Sequence, residues 1–125
     1  MLQKADLREH CLSLKGAQED FPFGEGIAVY KVMGKMFALI PFGENDPETI
    51  TLKCDPFLAQ LIRQKYPAVV GAYHFNKTHW NGIALDGSVP DDELLEWVND
   101  SYALIVKALT RIQRQELKKV DIFQN

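Results

Sequence analysis

The segment from Tyr73 to Asn81 carries the densest set of chemically active side chains in the sequence. Its nine residues include one lysine, two histidines, two asparagines and three aromatic residues. On the turn of a hairpin, Lys77 could bind a phosphate while Trp80 or a histidine stacks on a base or a sugar. Alternatively, Phe75 and Trp80 belong to the core, where aromatic residues are common anchors, and the polar residues only shape the turn. Taken alone, the segment favours the second interpretation.

The histidines and cysteines do not form a catalytic or metal-binding pattern. His74 and His79 would supply two ligands, whereas a zinc site needs three or four, and no cysteine lies nearby. Cys11 and Cys54 fall at apolar positions without ligand spacing, so both are predicted to be buried free thiols. The sequence contains neither a Gly-x-Ser-x-Gly motif nor a glycine-rich phosphate loop followed by Lys-Ser/Thr. We therefore expect no metal, no cofactor and no enzymatic activity.

Charge is unevenly distributed along the chain. The net charge of −3 and the pI of about 5.6 argue against a surface coated with positive charge. Residues 27–83 hold six basic and four acidic residues, and residues 84–110 hold one lysine and six acids. Residues 111–125 hold four basic and two acidic residues. A local basic face is therefore compatible with an acidic protein.

Size and composition indicate one cytoplasmic domain. A chain of 125 residues fits a single domain and can bury enough surface to fold without a disulfide or a metal. No apolar stretch reaches the roughly 18 residues that a membrane span needs, and the first residues lack the apolar core of a signal peptide. We expect a single domain over 1–125, with about the last dozen residues frayed, and no membrane contact.

The hydrophobic pattern predicts an α+β fold in which helices pack on an antiparallel sheet. The predicted order of elements is α-β-β-β-α-β-β-α. Hairpins are predicted at 27–41 and 69–85, and a loop at 19–24. A long helix is predicted to begin after Pro90 and to continue to about residue 111, with acidic residues in its first turn.

Alternation of apolar and polar residues predicts which face of the sheet is buried. The first hairpin is expected to turn at Gly34-Lys35, which would place Val32 opposite Phe37. Residues 48–54 alternate so that Lys53 points away from the core. The predicted buried face of the sheet consists of Tyr30, Val32, Phe37, Leu39, Ile50 and Leu52.

Several blocks of sequence together resemble the MmcQ/YjbR family. They follow the family's order and extend from about residue 5 to residue 110. The combination of the hairpin around Gly34-Lys35, the Leu52-Lys53-Cys54 block and the turn ending at Trp80 is the most specific part. The blocks are Asp20-Phe21-Pro22-Phe23-Gly24, Val29 to Ala38, Leu52-Lys53-Cys54-Asp55-Pro56, Tyr73 to Asn81, Val89-Pro90-Asp91-Asp92-Glu93-Leu94 and Asp100-Ser101-Tyr102.

This resemblance implies a frataxin/CyaY-like fold and a DNA-binding protein with a double-wing motif. The wings would be the hairpins 27–41 and 69–85. Frataxin-like relatives bind iron through acidic residues of the first helix. The corresponding helix here has only Asp6 and Glu9, so iron binding is not expected.

Two functional hypotheses follow from the residues and the resemblance. The first is weak, salt-dependent binding of DNA by one electropositive patch on the two wings. The second is an adaptor that binds a protein partner or a small ligand through an outer sheet face carrying Val29, Met33 and Met36. The residues predicted to bind nucleic acid are Lys31, Lys35, Lys53, His74, Lys77, His79 and Trp80.

Overall fold

The computed structural model describes residues 1–72 and 75–120, and within these ranges the chain forms four helices and six strands. The helices are α1 (Lys4–Ser13), α2 (Pro56–Lys65), α3 (Asp91–Ala108) and α4 (Arg111–Lys118). The strands are β1 (Ala17–Asp20), β2 (Ile27–Val32), β3 (Lys35–Pro41), β4 (Thr49–Lys53), β5 (Val69–Gly71) and β6 (Trp80–Ala84).

The strands form one antiparallel sheet in the order β1-β2-β3-β4-β6-β5. All four helices contribute buried residues to a single hydrophobic cluster with the strands, so the core lies on one face of the sheet. On the opposite face, which we call the outer face, Thr49, Thr51 and Lys53 alternate with the buried Ile50 and Leu52. The predicted α+β class and the predicted direction of Lys53 are confirmed.

The first hairpin turns one residue earlier than predicted. Val32 pairs with Lys35, so the turn residues are Met33 and Gly34, whose φ angles are 50° and 80°. Two positive φ angles characterise a type I′ turn, whose twist matches that of the flanking strands. The predicted Gly34-Lys35 turn was wrong because Met33 adopts a left-handed conformation that a non-glycine residue seldom takes.

Strand β3 contains one extra residue, Phe37. Tyr30 pairs with Ala38, and the next residue, Lys31, pairs with Met36, so Phe37 has no partner on β2. Such a bulge locally disturbs the strict alternation of side chains. Phe37 and Ala38 are consecutive, yet both are fully buried in the core cluster.

The bulge also corrects the predicted buried face at one position. Leu39 pairs with Val29 and Thr51 on the outer face, where it is half-buried, and it is not part of the core cluster. The other five members of the predicted buried face are confirmed. Leu39 was wrongly assigned because one inserted residue reverses the alternation beyond it.

Ser101 of α3 satisfies backbone groups at the bulge. Its side chain is fully buried, and its Oγ donates to the carbonyl of Phe37 at 2.6 Å. The same oxygen accepts from the backbone N–H of Lys53 at 2.9 Å. One hydroxyl thus joins β3, β4 and α3, where unpaired polar groups would otherwise be costly.

The structure adds two elements to the predicted order. Residues Ala17–Asp20 form an edge strand, although 19–24 was predicted to be a loop, and its polar composition hid it. The long helix ends at Ala108, and α4 begins after Thr110, whose side chain accepts from the N–H of Gln113 in a capping box. Leu117 anchors α4 in the core, whereas 121–125, which belong to the last dozen residues predicted to fray, lie outside the described residues.

Candidate nucleic-acid interface

The topology brings the turns of both hairpins to the same end of the sheet. The pairs Val32–Lys35 and Lys53–Trp80 both lie at this end, as does the last residue of β5, Gly71. We call it the tip end. The opposite end, which contains the loop between β3 and β4 and the start of α3, is the base end.

On the first hairpin, the two candidate lysines point in different directions. Lys31 lies on the outer face, where its Nζ is 3.0 Å from a carboxylate oxygen of Asp20. That hydrogen bond to Lys31 is the main reason why the pKa of Asp20 is lowered. Lys35 is exposed, and its Nζ approaches the carbonyl of Ala108 at the C-terminus of α3, at 3.4 Å. The helix dipole favours a cation at that position.

On the second hairpin, the candidate residues are contiguous. Lys53 and Trp80 are cross-strand neighbours, and the ring of Trp80 lies 5.5 Å from that of Phe75. Lys77 is exposed in the turn between Asn76 and His79. Trp80 is half-buried, so it has both roles that the sequence left open: it packs on an aromatic neighbour and keeps part of its surface accessible.

Backbone and side-chain hydrogen bonds shape the turn that carries Lys77. The carbonyl of Asn76 accepts from the N–H groups of His79 and Trp80, both at 2.9 Å. The Asn76 side chain accepts from the N–H of Thr78 at 2.9 Å. The carbonyl of His79 accepts from the N–H of Cys54 at 2.7 Å, which joins the turn to the end of β4.

Arg63 of α2 reaches the same turn and was missed by sequence reasoning. Its guanidinium donates to Oδ1 of Asn81 at 2.7 Å and to the carbonyls of Lys77 and Trp80. Gly71 makes room for it, because a Cβ there would lie 3.3 Å from the guanidinium carbon. The only sequence signal was a glycine in a strand, which is typical of close backbone approach.

Further basic residues reach the tip end from the helices. The Lys35–Ala108 contact places the C-terminal turn of α3, with Lys107, at this end. The Cβ of an alanine at Gly16 would clash with Leu117, and Lys15 donates to the carbonyl of Lys118, so α4 lies there too. The basic residues of this segment are Arg111, Arg114, Lys118 and Lys119.

The base end collects acidic residues. Asp91, Asp92 and Glu93 form the first turn of α3, and Glu44, Asp46 and Glu48 lie in the loop between β3 and β4. The amino terminus lies 3.6 Å from Asp91, and Lys4 lies 3.5 Å from Glu48, which neutralises part of this charge. Acidic residues therefore predominate at the base end and basic residues at the tip end, where Asp55 and Glu116 also lie.

The structure brings together only some of the predicted site residues. Lys53, Lys77, His79 and Trp80 form one neighbourhood, whereas Lys31 lies farther along the outer face and Lys35 turns toward α3. His74 lies outside the described residues.

The apolar cluster that motivated the adaptor hypothesis is not an exposed one. Val29 has 1% of its surface exposed, Met33 packs against the core, and Met36 is half-buried.

The two cysteines are free thiols, as predicted, but only Cys11 is buried; Cys54, which was also predicted to be buried, is half-buried. Burial raises the pKa of Cys11 to about 12. Burial, together with the nearby Asp55 and Asp100, raises the pKa of the half-buried Cys54. Both thiols are therefore protonated at neutral pH and are poor nucleophiles.

Within residues 1–72 and 75–120, no three His, Cys, Asp or Glu side chains come together in a way that could hold a metal ion. None of the helices in these ranges has the length and apolar composition that a bilayer crossing requires.

Fold and site together define a two-layer α+β domain with two hairpin turns at one end of a sheet that is packed by helices on one face. The chain belongs to the YjbR family, whose sequence model matches residues 12–104. The resemblance seen in the sequence motifs is thereby confirmed.

Relatives of known sequence and structure extend this comparison. The chain is 34% identical over 113 residues to "Uncharacterized protein YjbR" of Escherichia coli, covering 90% of this chain and 95% of that protein. A crystal structure of a Deinococcus radiodurans protein with the domain DUF419 matches with a TM-score of 0.85 at 38% identity, covering 94% of this chain and 89% of that one. A Pseudomonas syringae structure matches with a TM-score of 0.70 at 27% identity, over 82% and 98% of the two chains.

Proposed function

We propose that this protein binds DNA weakly and without sequence preference through its tip end, and that it has no catalytic role of its own. The observation that carries the proposal is the segregation of charge between the two ends of the sheet. Lys53 and Lys77 lie beside an accessible aromatic ring at the tip end, and the acidic turn of α3 lies at the base end. An acidic protein can bind a polyanion when its cations are concentrated in this way.

The second hairpin makes the principal contact in this proposal. Lys53 and Lys77 would neutralise phosphates, and Trp80 would stack on a base where the duplex is open or single-stranded. Lys31 would add a contact on the same face, roughly 10 Å from Lys53 across two strand spacings. Its ion pair with Asp20 must be broken or shared, so its contribution is the smallest.

Fluorescence anisotropy with labelled duplex and single-stranded DNA of several sequences tests the proposal. Three phosphate contacts, from Lys53, Lys77 and Lys31, give a log–log salt slope of about −3 on duplex DNA. We expect Lys77→Glu and Lys53→Glu each to weaken binding about tenfold at low salt, alike for all sequences, because phosphate contacts carry no sequence information.

The matched control is Lys65→Glu, an exposed lysine at the C-terminus of α2, which changes the net charge equally. We expect it to change affinity less than threefold, an effect of long-range charge only. Absence of binding by the wild type at low salt would refute the proposal. Equal weakening by Lys77→Glu and Lys65→Glu would also refute it, because binding would then depend on net charge rather than on the tip end.

A further inference from the structure

A cavity of about 310 Å³ opens between α2 and α3, on the core face of the sheet. Its walls are mostly apolar and include Leu58 and Ile62 from α2, Trp97 and Leu104 from α3, and Ile83 from β6. This volume lies at the lower end of the range of small-molecule sites, about 300 to 1,000 Å³, and such sites typically combine apolar walls with few polar groups. The cavity belongs to neither hairpin turn.

One polar side chain in this cavity is deeply buried and has a donor without a protein partner in the described part of the chain. Asn81 is only 3% exposed and lines the cavity. Its Oδ1 accepts from Nε of Arg63 at 2.7 Å, which fixes the orientation of the amide. Within residues 1–72 and 75–120, its Nδ2 forms no hydrogen bond to the protein, yet the group is not sealed off from solvent. A ligand acceptor could take this donor.

The charged residues around the cavity balance one another. Lys107 and Asp100 contribute one charge of each sign. The Asp55 carboxylate accepts from the first N–H groups of α2, and the Lys53 side chain points to the outer face. A charged ligand would gain little from this environment and would lose its hydration. The indole of Trp97, which contacts the ring of Tyr66 edge-on at 5.6 Å, offers an aromatic surface instead.

We propose that this cavity binds a small neutral aromatic molecule that carries a carbonyl acceptor, with the ring against Trp97 and the carbonyl oxygen accepting from the amide of Asn81. The apolar walls select against charge, and the oriented amide donor of Asn81 selects for an acceptor. The site is independent of DNA binding and goes beyond the proposed function.

Two probes of nearly the same shape test the ligand chemistry. 2-Acetylnaphthalene carries the carbonyl, and 2-ethylnaphthalene lacks it. Each is titrated into the ¹⁵N-labelled protein, and binding is followed by the shifts of the Trp97 indole N–H and the Asn81 side-chain amide. We expect saturable shifts of both groups with the ketone, and about fivefold weaker binding of the hydrocarbon, because one hydrogen bond is lost.

A matched pair of variants on α3 tests the location. Ala103 lines the cavity at an exposed position, so Ala103→Phe should fill it and weaken ketone binding at least tenfold. Ala108 is also exposed on α3 but does not line the cavity, so Ala108→Phe should bind as the wild type does. If Ala103→Phe fails to fold, Leu58→Phe narrows the cavity from α2.

Each alternative result has a defined meaning. Absence of saturable binding, or unchanged binding by a folded cavity-filling variant, overturns the site. Equal affinity for ketone and hydrocarbon overturns the role of Asn81 and the proposed ligand class. Loss of DNA binding in Lys77→Glu, with ketone binding retained, leaves this inference intact.

Discussion

The two hairpins end side by side but are held by different forces. The turn of the first is defined locally: β2 and β3 pair along their length except at the Phe37 bulge, and a turn with two positive φ angles joins them. The second has a short strand, β5, and a longer connection, and a guanidinium from α2 hydrogen-bonds to the carbonyls of Lys77 and Trp80.

The two turns therefore owe their conformations to different interactions. The backbone conformation of the first turn determines its own geometry, whereas the second turn depends on a side chain distant in sequence. A tertiary contact can be weakened without unfolding the sheet, because local regions of a protein open with different free energies. We therefore expect the second hairpin to respond to substitutions in α2 that leave the first unchanged.

Replacement of Arg63 should have the largest effect. Arg63→Ala removes a charged donor and leaves the buried Oδ1 of Asn81 without its partner, so we expect a loss of about 3 kcal/mol in the free energy of unfolding. Hydrogen exchange should accelerate at 76–80 and stay slow at 28–38. Arg114→Ala, which removes one exposed contact to the Lys107 carbonyl, is the control and should cost under about 0.5 kcal/mol. Equal acceleration of hydrogen exchange in both hairpins would contradict the different origins of the two turns.

Replacing one glycine in each hairpin should change the free energy of unfolding by an intermediate amount. Gly34 has a φ of 80° and open space where a Cβ would lie, so Gly34→Ala should cost about 1 kcal/mol through the backbone alone. Gly82 on β6 lacks a positive φ, and a Cβ there would make ordinary contacts, so Gly82→Ala should be neutral or stabilising by up to about 1 kcal/mol. Urea denaturation measures both. The same sign for the two changes would show that local backbone conformation does not distinguish these two positions.

The smallest effect should be the pH dependence of stability at β1, the edge strand beside the first hairpin. The pKa of Glu19 is lowered, chiefly by its hydrogen bond with Arg8, and Tyr30 donates to the same carboxylate at 2.9 Å. Because the pKa of Glu19 is lower in the folded state, the ionised carboxylate stabilises the fold fully above the pKa of the unfolded state, about 4.3. This stabilisation is lost as the pH falls through the pKa of the folded state.

We expect Glu19→Gln to be less stable than the wild type by under about 1 kcal/mol at pH 6, and this difference should shrink below about pH 4. Urea titrations between pH 3 and pH 6 measure it, with Glu9→Gln on the exposed face of α1 as the background. A difference that grows as the pH falls would contradict the assigned sign.

Sequence patterns predicted the parts of this fold that local alternation determines. Ile50 and Leu52 were assigned to the core because each strand residue points opposite to its neighbours. The bulge at Phe37 was missed because it depends on a hydroxyl 64 residues away, which no local pattern reveals. β1 was missed because its polar residues pair only at the edge of the sheet.

The candidate site was predictable only residue by residue. Lys53 and Lys77 were recognisable as cations on a strand and a turn, but their neighbours could not be inferred from spacing. The approach of Arg63, and of the end of α3 beside Lys35, follows from the packing of helices on the sheet. Long side chains that cross between elements leave no periodic signal in the sequence.

The separation of charge between the two ends gives the molecule an electric dipole along the strands. In the field of a polyanion, the net charge of −3 is repelled on average over all orientations, but the dipole experiences a torque that turns the basic end forward. The protein would then arrive already oriented, with the turns of both hairpins leading. At low ionic strength the same dipole would align neighbouring copies head to tail, whereas physiological salt confines the effect to about 8 Å.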